Sequence, residues 1–462
     1  MRSSALAAFL CGSLAATVSL ACQGETFFFC DGADDCGGEG SCEANGACSF
    51  PDTDCPSGRR YGTASVPPFA GECTAATDTP GTTSSVAGSA DSTSSTGSAS
   101  FTAGATSAQD SSTGGSARTT GQTCPDGWWD CEWSYRRRVS VTAGASEAHS
   151  DVPIAVRLGP GRIEYELMQA DAEDLRFVSA GGSVLPYEIE SWDPAGTSMV
   201  WTAVDVLGST DDHFWMYYGN AVAQSPPQLS GVWSDVYAAV WHMAEGTQDS
   251  SANGQHATPV GEVGIDQGQM FTGAELLTRN SHLDVGSSAV VDDLFSSGAT
   301  ISAWIRPWGW GHNSYGRLLD KGSSTSWLLY LSETGQLTFA LNFVGEGDAT
   351  RWRTLPEVIT LATWAHVAVT FDVENQKVPT HVYLNGVEQI LEDSPTVPDA
   401  ELLTDVDLPL AIGNRSNHGR QFEGILDEVR LERTVRTPEW ILLQHQSGRD
   451  TLLQFGEREE HE

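Results

Sequence analysis

The chain has 462 residues, 61 acidic against 24 basic for a net charge of −37, and is 40% apolar with 48 Gly and 15 Trp. That charge excludes nucleic acid and anionic lipid headgroups as partners, because both repel an acidic surface. Charged residues are only 18% of the chain, so Ser, Thr, Gly, Asn and Gln must complete the surface, which suits an exported β-rich protein; the length suggests about three domains of roughly 150 residues each.

Residues 1–21 read as an export signal. Arg2 is the positive start, and Ala5–Ala21 is an apolar run too short and too rich in Ala, Ser and Thr for a spanning helix. Ser19 and Ala21 offer the small residues of an ordinary cleavage site. The segment Ser19-Leu20-Ala21-Cys22 also resembles a bacterial lipoprotein box with Cys22 as lipid acceptor, although Ser19 stands where that pattern has Leu. Cysteine parity favours the lipid: of ten cysteines, Cys11 leaves with the signal and Cys22 is modified, which leaves an even set for disulfides. That set is Cys30, Cys36, Cys42, Cys48, Cys55, Cys73, Cys124 and Cys131, with the pairing open. The expected location is the cell envelope, lipid-anchored at the outer membrane or cell surface, with secretion as the alternative.

Residues 22–73 hold six of these cysteines at C-x5-C-x5-C-x5-C-x6-C-x17-C, with Gly, Asp, Asn and Pro between. So few apolar residues cannot build a core, and crosslinks must hold the segment. Zinc would need tight C-x2-C pairs. The stretches Cys48–Asp52 and Cys55–Tyr61 resemble a Cys-rich module of myxobacterial surface lipoproteins. Residues 74–121 are almost all Thr, Ser, Gly and Ala, a linker with nothing to offset the entropy of ordering. As a coil it would span roughly 40 Å.

Residues 122–232 open with Cys124 and Cys131, a local disulfide around Trp128 and Trp129. Strand patterns follow at 133–141, 151–158, 175–179, 184–191, 199–206 and 213–218, interrupted by one short helical pattern near 163–170. Strands at this spacing suggest a sandwich. Trp133-x-Tyr135-Arg136, the run Leu185–Asp193 and Trp215–Ala221 resemble a bacterial β-domain of unknown function. It often precedes a laminin-G-like domain and in some proteins accompanies biopolymer-transport components.

Residues 233–447 form the largest domain. Val382-Tyr-Leu384 meets Val387–Ile390 across Asn385-Gly386, a strong hairpin signal. Trp327–Leu331 returns as Leu337–Phe343, and His366–Phe371 alternates with Val367, Val369 and Phe371 on one face. Thr437 N-caps a short helix with Pro438 at its first position, running to about Gln446. Trp241-His-Met, Asp249–Gly254, Ile301–Ile305, Trp364–Asp372, Val382–Gly386 and Phe422–Arg430 occur in the order of the laminin-G/pentraxin-type jelly roll, the concanavalin-A-like sandwich. The expected fold class is therefore all-β, with two β-sandwich domains behind a small disulfide-rich module and a linker. Residues 448–462 read as an acidic tail.

Three sites are candidates. Asp249 and Asn253, in a tight Gly-containing loop, and Asp427 could hold a structural Ca²⁺, which members of this fold often bind with such oxygens. The alternative is that Asp249 caps a turn and Asp427 pairs with an arginine such as Arg430. Trp308, Trp310, His312, Asn313 and Tyr315 form an aromatic loop where the family usually has a plain polar one. Exposed rings would stack on sugars, and folded-back rings would be a hydrophobic cap. Glycosidases of this fold carry Glu-x-Asp-x-x-Glu on a strand, but Ile425 replaces the first Glu here, so no catalytic pair is read. His242, His366 and His381 lie in strand patterns and read as structural; Asn414-Arg415-Ser416 is a formal glycosylation triplet. The expected function is a non-enzymatic envelope lipoprotein that binds a glycan or an envelope or extracellular protein. A structural role in an envelope complex, or a hydrolase accessory, is the alternative.

Overall fold

The structure, a computed structural model, describes two compact units. In the first, 1–113, it describes residues 36, 40–42, 48–53, 55, 57–62 and 74; in the second, 114–462, residues 127–142, 147–206, 208, 211–224, 231–243, 247–270, 272–276, 278–375, 379–392, 395 and 397–461. The export signal, Cys22, Cys30, Cys73, Cys124 and nearly all of the linker lie outside these residues. None of the described helices is long and apolar enough to cross a membrane.

In the first unit, β1 (Ser41–Cys42), β2 (Cys48–Pro51) and β3 (Arg59–Tyr61) form a small antiparallel sheet. Cys36 and Cys48 are disulfide-bonded, and Cys55, like Cys131 of the second unit, is also in a disulfide.

The second unit begins with a small sandwich. Its strands are β4 (Tyr135–Val141), β5 (His149–Leu158), β6 (Arg176–Ser179), β7 (Tyr187–Ser191), β8 (Ser198–Val206) and β9 (His213–Tyr218). The jelly roll follows: β10 (Tyr237–Trp241), β11 (Thr258–Val260), β12 (Val263–Gln267), β13 (Thr272–Leu276), β14 (His282–Gly286), β15 (Ala299–Pro307), β16 (Arg317–Lys321), β17 (Trp327–Leu331), β18 (Leu337–Leu341), β19 (Thr350–Arg353), β20 (Ala365–Phe371), β21 (Thr380–Leu384), β22 (Val387–Glu388), β23 (Leu410–Ile412) and β24 (Gly424–Glu432). Helix α1 (Pro438–Gly448) and β25 (Leu453–Glu460) close the chain.

The jelly roll stacks an eight-stranded sheet, β12-β13-β24-β15-β20-β21-β22 with β10 beside β24, on a seven-stranded one, β11-β14-β23-β16-β17-β18-β19. Alternation sets the core. Val367, Val369 and Phe371 point inward as expected and meet Trp327, Phe339 and Phe295. The Asn385-Gly386 hairpin forms, with both residues at positive φ. A Cβ on Gly386 would lie 2.8 Å from Leu442 of α1, so only glycine lets the hairpin tip reach the helix. Thr437 caps α1 by accepting from the Trp440 N–H, as its position predicted.

The ending departs from the expectation of an acidic tail. Residues 453–460 are the strand β25, which completes the small sandwich by pairing with β4 in the order β25-β4-β9-β6. Leu452, Leu453 and Phe455 enter that sandwich's core. One of its acids meets the arginine run of β4: Glu459 lies 2.7 Å from Arg136, whose guanidinium sits 3.8 Å from the Trp215 ring centre. Helix α1 packs Trp440, Ile441 and Leu443 into the same core together with Ala368 and Tyr383 of the jelly roll. It also blocks the edge of β5, where Ser447 accepts from the Ala155 N–H and Gln444 donates to the Pro153 carbonyl.

Candidate functional site

The aromatic loop is built against residues 419–423. Trp308 donates its backbone N–H to Glu423, His312 donates its own to Gln421, and Gly316 donates to Trp310. The five aromatic-loop residues divide. Trp308 is 41% and Tyr315 44% exposed, whereas Trp310 is half-buried and packs on the jelly-roll core. Asn313 is exposed, and the His312 ring pairs through Nδ1 with the Gly419 carbonyl at 2.8 Å. Each exposed ring has an arginine beside it, Arg306 at 5.5 Å from Trp308 and Arg420 at 5.1 Å from Tyr315. Tyr315 leans on Tyr330, on the outer side of the seven-stranded sheet, while Arg306 beside Trp308 belongs to the outer side of the eight-stranded one. The loop therefore wraps the end of the sandwich, with one ring toward each outer face.

Each residue considered for calcium has a hydrogen-bond partner within the protein. Asp249 accepts from the backbone N–H groups of Val240, Ser251 and Gln255 and from the Ser251 hydroxyl. Those bonds make it the capping residue of its loop. Asn253 donates to the carbonyls of Tyr237 and Ala238. Asp427 is fully buried and accepts from the Met270 N–H. Burial, with Glu428 beside it, pushes its carboxyl well above the usual range. The acid that pairs with Arg430 is Glu428, at 2.6 Å, because a β-bulge intervenes. Ser302 and Trp304 of β15 face Arg430 and Asp427, so one extra residue is accommodated in β24. Glu428 there has φ 50°, an uncommon conformation for a residue with a side chain. The bulge turns both Asp427 and Glu428 away from the jelly-roll core.

They turn toward a polar cluster between the two sandwiches, which the sequence reading did not anticipate. Around it Ala155, Met199 and Trp201 of the small sandwich pack on Trp233, Tyr237 and Val240. At its centre His242 Nδ1 lies 2.6 Å from Glu428 and 3.8 Å from Glu190, and Nε2 lies 3.7 Å from Glu188. Trp201 stacks on the imidazole with centroids 5.5 Å apart and donates its Nε1–H to Glu190 at 2.8 Å. Trp233 and Ser250 both donate to Glu188 at 2.6 Å. Burial opposes the charge on His242, but Glu428 and Glu190 outweigh it and raise its pKa well above the ordinary value. Burial also pushes Glu190 up to about 7, against the pull of His242. Glu428 is held below the usual range despite burial, by His242 and Arg430. Among the described residues, Glu190 Oε1 and His242 Nε2 have no hydrogen-bond partner. A signal did exist in the sequence: Glu188 and Glu190 alternate onto one face of a strand, and His242 directly follows an apolar strand.

A cleft of ≈ 890 Å³, in the range of small-molecule sites, opens at another part of the jelly roll. Phe295, Trp327 and Phe371 form its apolar wall, and Asn342, Glu401 and Asp405 contribute polar groups.

This architecture agrees with the families whose models match. Residues 277–442 match the family described as the concanavalin A-like lectin/glucanases superfamily, of laminin-G type, and residues 171–234 match a domain of unknown function (DUF2341). The jelly roll is thus a lectin-like, concanavalin-A-like domain, as its motifs implied. Among solved structures, the chain is similar to the binding domain of Paraclostridial mosquitocidal protein 1, at 19% identity over 46% of this chain and 52% of that one, TM-score 0.38. It is similar to domain 4 of a GH43 extracellular arabinanase from Geobacillus stearothermophilus, in complex with arabinotriose, at 17% identity over 45% and 96% of the two chains, TM-score 0.32. The ligand-binding domain of botulinum neurotoxin serotype D, in complex with N-acetylneuraminic acid, matches at 13% identity over 46% and 51%, TM-score 0.36. The chain spans about half the length of the two toxin domains. No curated protein shows significant similarity to it.

Proposed function

We propose that the protein is a non-catalytic, exported cell-envelope protein whose jelly roll binds a glycan, with Trp308 and Tyr315 as its stacking surfaces. In this reading lipid on Cys22 anchors it and the linker gives the sandwiches reach. The observation that supports the reading is the aromatic loop: two large rings stay exposed on a segment tied down by backbone hydrogen bonds. A rigid exposed ring needs no ordering when a sugar face stacks on it, so little of the binding energy is lost to entropy. Arg306, Arg420 and Asn313 stand beside the rings as hydrogen-bond donors for hydroxyls.

The test is a glycan array probed with the full chain and with Trp308→Ala and Tyr315→Ala. Loss of about tenfold in affinity for the selected glycan in either variant is expected, equivalent to about 1.4 kcal/mol. Binding that survives both substitutions together would overturn the assignment.

A further inference from the structure

We propose that Glu190, His242 and Glu428 form a site for one divalent transition-metal ion of the zinc class, set between the two sandwiches. Among the described residues they make a group of three whose ligand atoms all lie within 4.8 Å of one another. One imidazole nitrogen with carboxylate oxygens is a donor set suited to zinc; calcium prefers oxygen alone.

Each first ligand has a support that leaves an atom available. Trp201 donates to Glu190 Oε2, the oxygen that lies 3.8 Å from His242 Nδ1, and among the described residues Oε1 has no partner on a side chain only 1% exposed. Arg430 holds Glu428 through Oε2, which leaves Oε1 toward His242. Behind the imidazole, Glu188 stands 3.7 Å from Nε2, itself without a partner. A carboxylate behind a metal-bound histidine fixes the ring's tautomer and orientation, and Glu188 is positioned to do that for Nδ1 coordination.

The fit needs a small adjustment. Ligand atoms around a tetrahedral zinc at about 2.0–2.2 Å are about 3.3–3.6 Å apart. The 2.6 Å contact between His242 and Glu428 would widen, and the Glu190 carboxylate, whose Oε2 lies 3.8 Å from Nδ1, would close in. The bulge at Glu428 places that carboxylate here at the cost of a left-handed backbone, a strain found often beside functional sites. Charge favours the ion as well. Three carboxylates meet on one imidazole, and a divalent cation would offset their mutual repulsion in this apolar interface. The site joins β7 of the small sandwich to β24 of the jelly roll, so the ion would crosslink them.

The experiment uses the full chain stripped with a chelator and titrated with ZnCl₂ at neutral pH. One zinc per chain is expected, with a rise of several degrees in Tm and release of protons on binding. X-ray absorption on the wild-type complex should show one imidazole with oxygen donors. Glu190→Gln keeps the shape and the Trp201 contact, and should weaken zinc at least tenfold with an unchanged near-ultraviolet spectrum. Absence of a stoichiometric zinc, or absorption data without an imidazole ligand, would overturn the proposal. So would a folded Glu190→Gln protein that binds zinc as tightly as the wild type. If Glu190→Gln does not fold, the wild-type absorption spectrum decides.

Discussion

The two sandwiches of the second unit are built in different ways. The jelly roll draws every strand from one continuous stretch, β10 to β24, and encloses its own core. The small sandwich takes its last strand from the other end of the chain and fills part of its core with α1. A chain organised this way cannot lose its end without harm, and the two sandwiches should unfold together. Removal of residues 449–462 should therefore have the largest effect. It exposes β4 as an open edge, leaves Arg136 without Glu459 and removes Leu452 and Phe455 from the core. Limited proteolysis should then cleave within 135–218 while the jelly roll resists. A truncated chain that unfolds in one transition at the wild-type Tm would refute the dependence.

Single substitutions sharpen the same contrast. Trp440 is 3% exposed, carries Arg436 at 3.5 Å over its ring and touches both sandwiches. Trp440→Ala should cost about 3–5 kcal/mol and split one calorimetric transition into two. Leu452→Ala, at a site 1% exposed, should cost about 2–5 kcal/mol and destabilise the small sandwich first.

A smaller effect depends on pH. His366 of β20 and His445 of α1 both pack against Trp304. Burial, with His445 and Arg430 adding to it, lowers His366 well below its ordinary value. Burial, with Arg449, lowers His445 to about 4. Both are thus neutral in the folded state, whereas the unfolded chain takes up protons near pH 6.5. The unfolded state binds more protons below that point, so this contribution to stability is intact above pH 6.5 and falls as pH drops toward 4. Urea midpoints measured across this window should fall, and His445→Gln should flatten the decline. An equal slope in the variant would assign the pH dependence elsewhere.

Local signals made the jelly roll readable in the sequence. Asn385-Gly386 fits its turn, Val367, Val369 and Phe371 alternate, and Thr437 caps the helix, all within a few residues of their partners. The joint between the sandwiches was not readable, because its parts are distant in sequence. Glu190, His242 and Glu428 come from three elements, and β25 meets a strand more than three hundred residues earlier. Leu452-Leu453-Gln454-Phe455 looked like the start of a tail because the acids after it dominate the composition. One of those acids, Glu459, meets the arginine run of β4 through Arg136. Asp249 shows the opposite case: its loop was recognised, and its oxygens accept from backbone N–H groups of that loop and of β10.

The smallest expected effect on stability belongs to the loop assigned to binding. Trp308 is 41% exposed and lies outside the core, so Trp308→Ala should change stability by no more than about 1 kcal/mol, well below Trp440→Ala. Trp310 packs on the core, and Trp310→Ala should cost more than Trp308→Ala although the two lie in one loop. Stability and glycan affinity should therefore separate: Trp308→Ala keeps the Tm and loses affinity, while Trp310→Ala lowers the Tm. If Trp308→Ala lowers the Tm as much as Trp310→Ala, both rings serve packing, and the binding surface must be sought at the cleft beside Trp327.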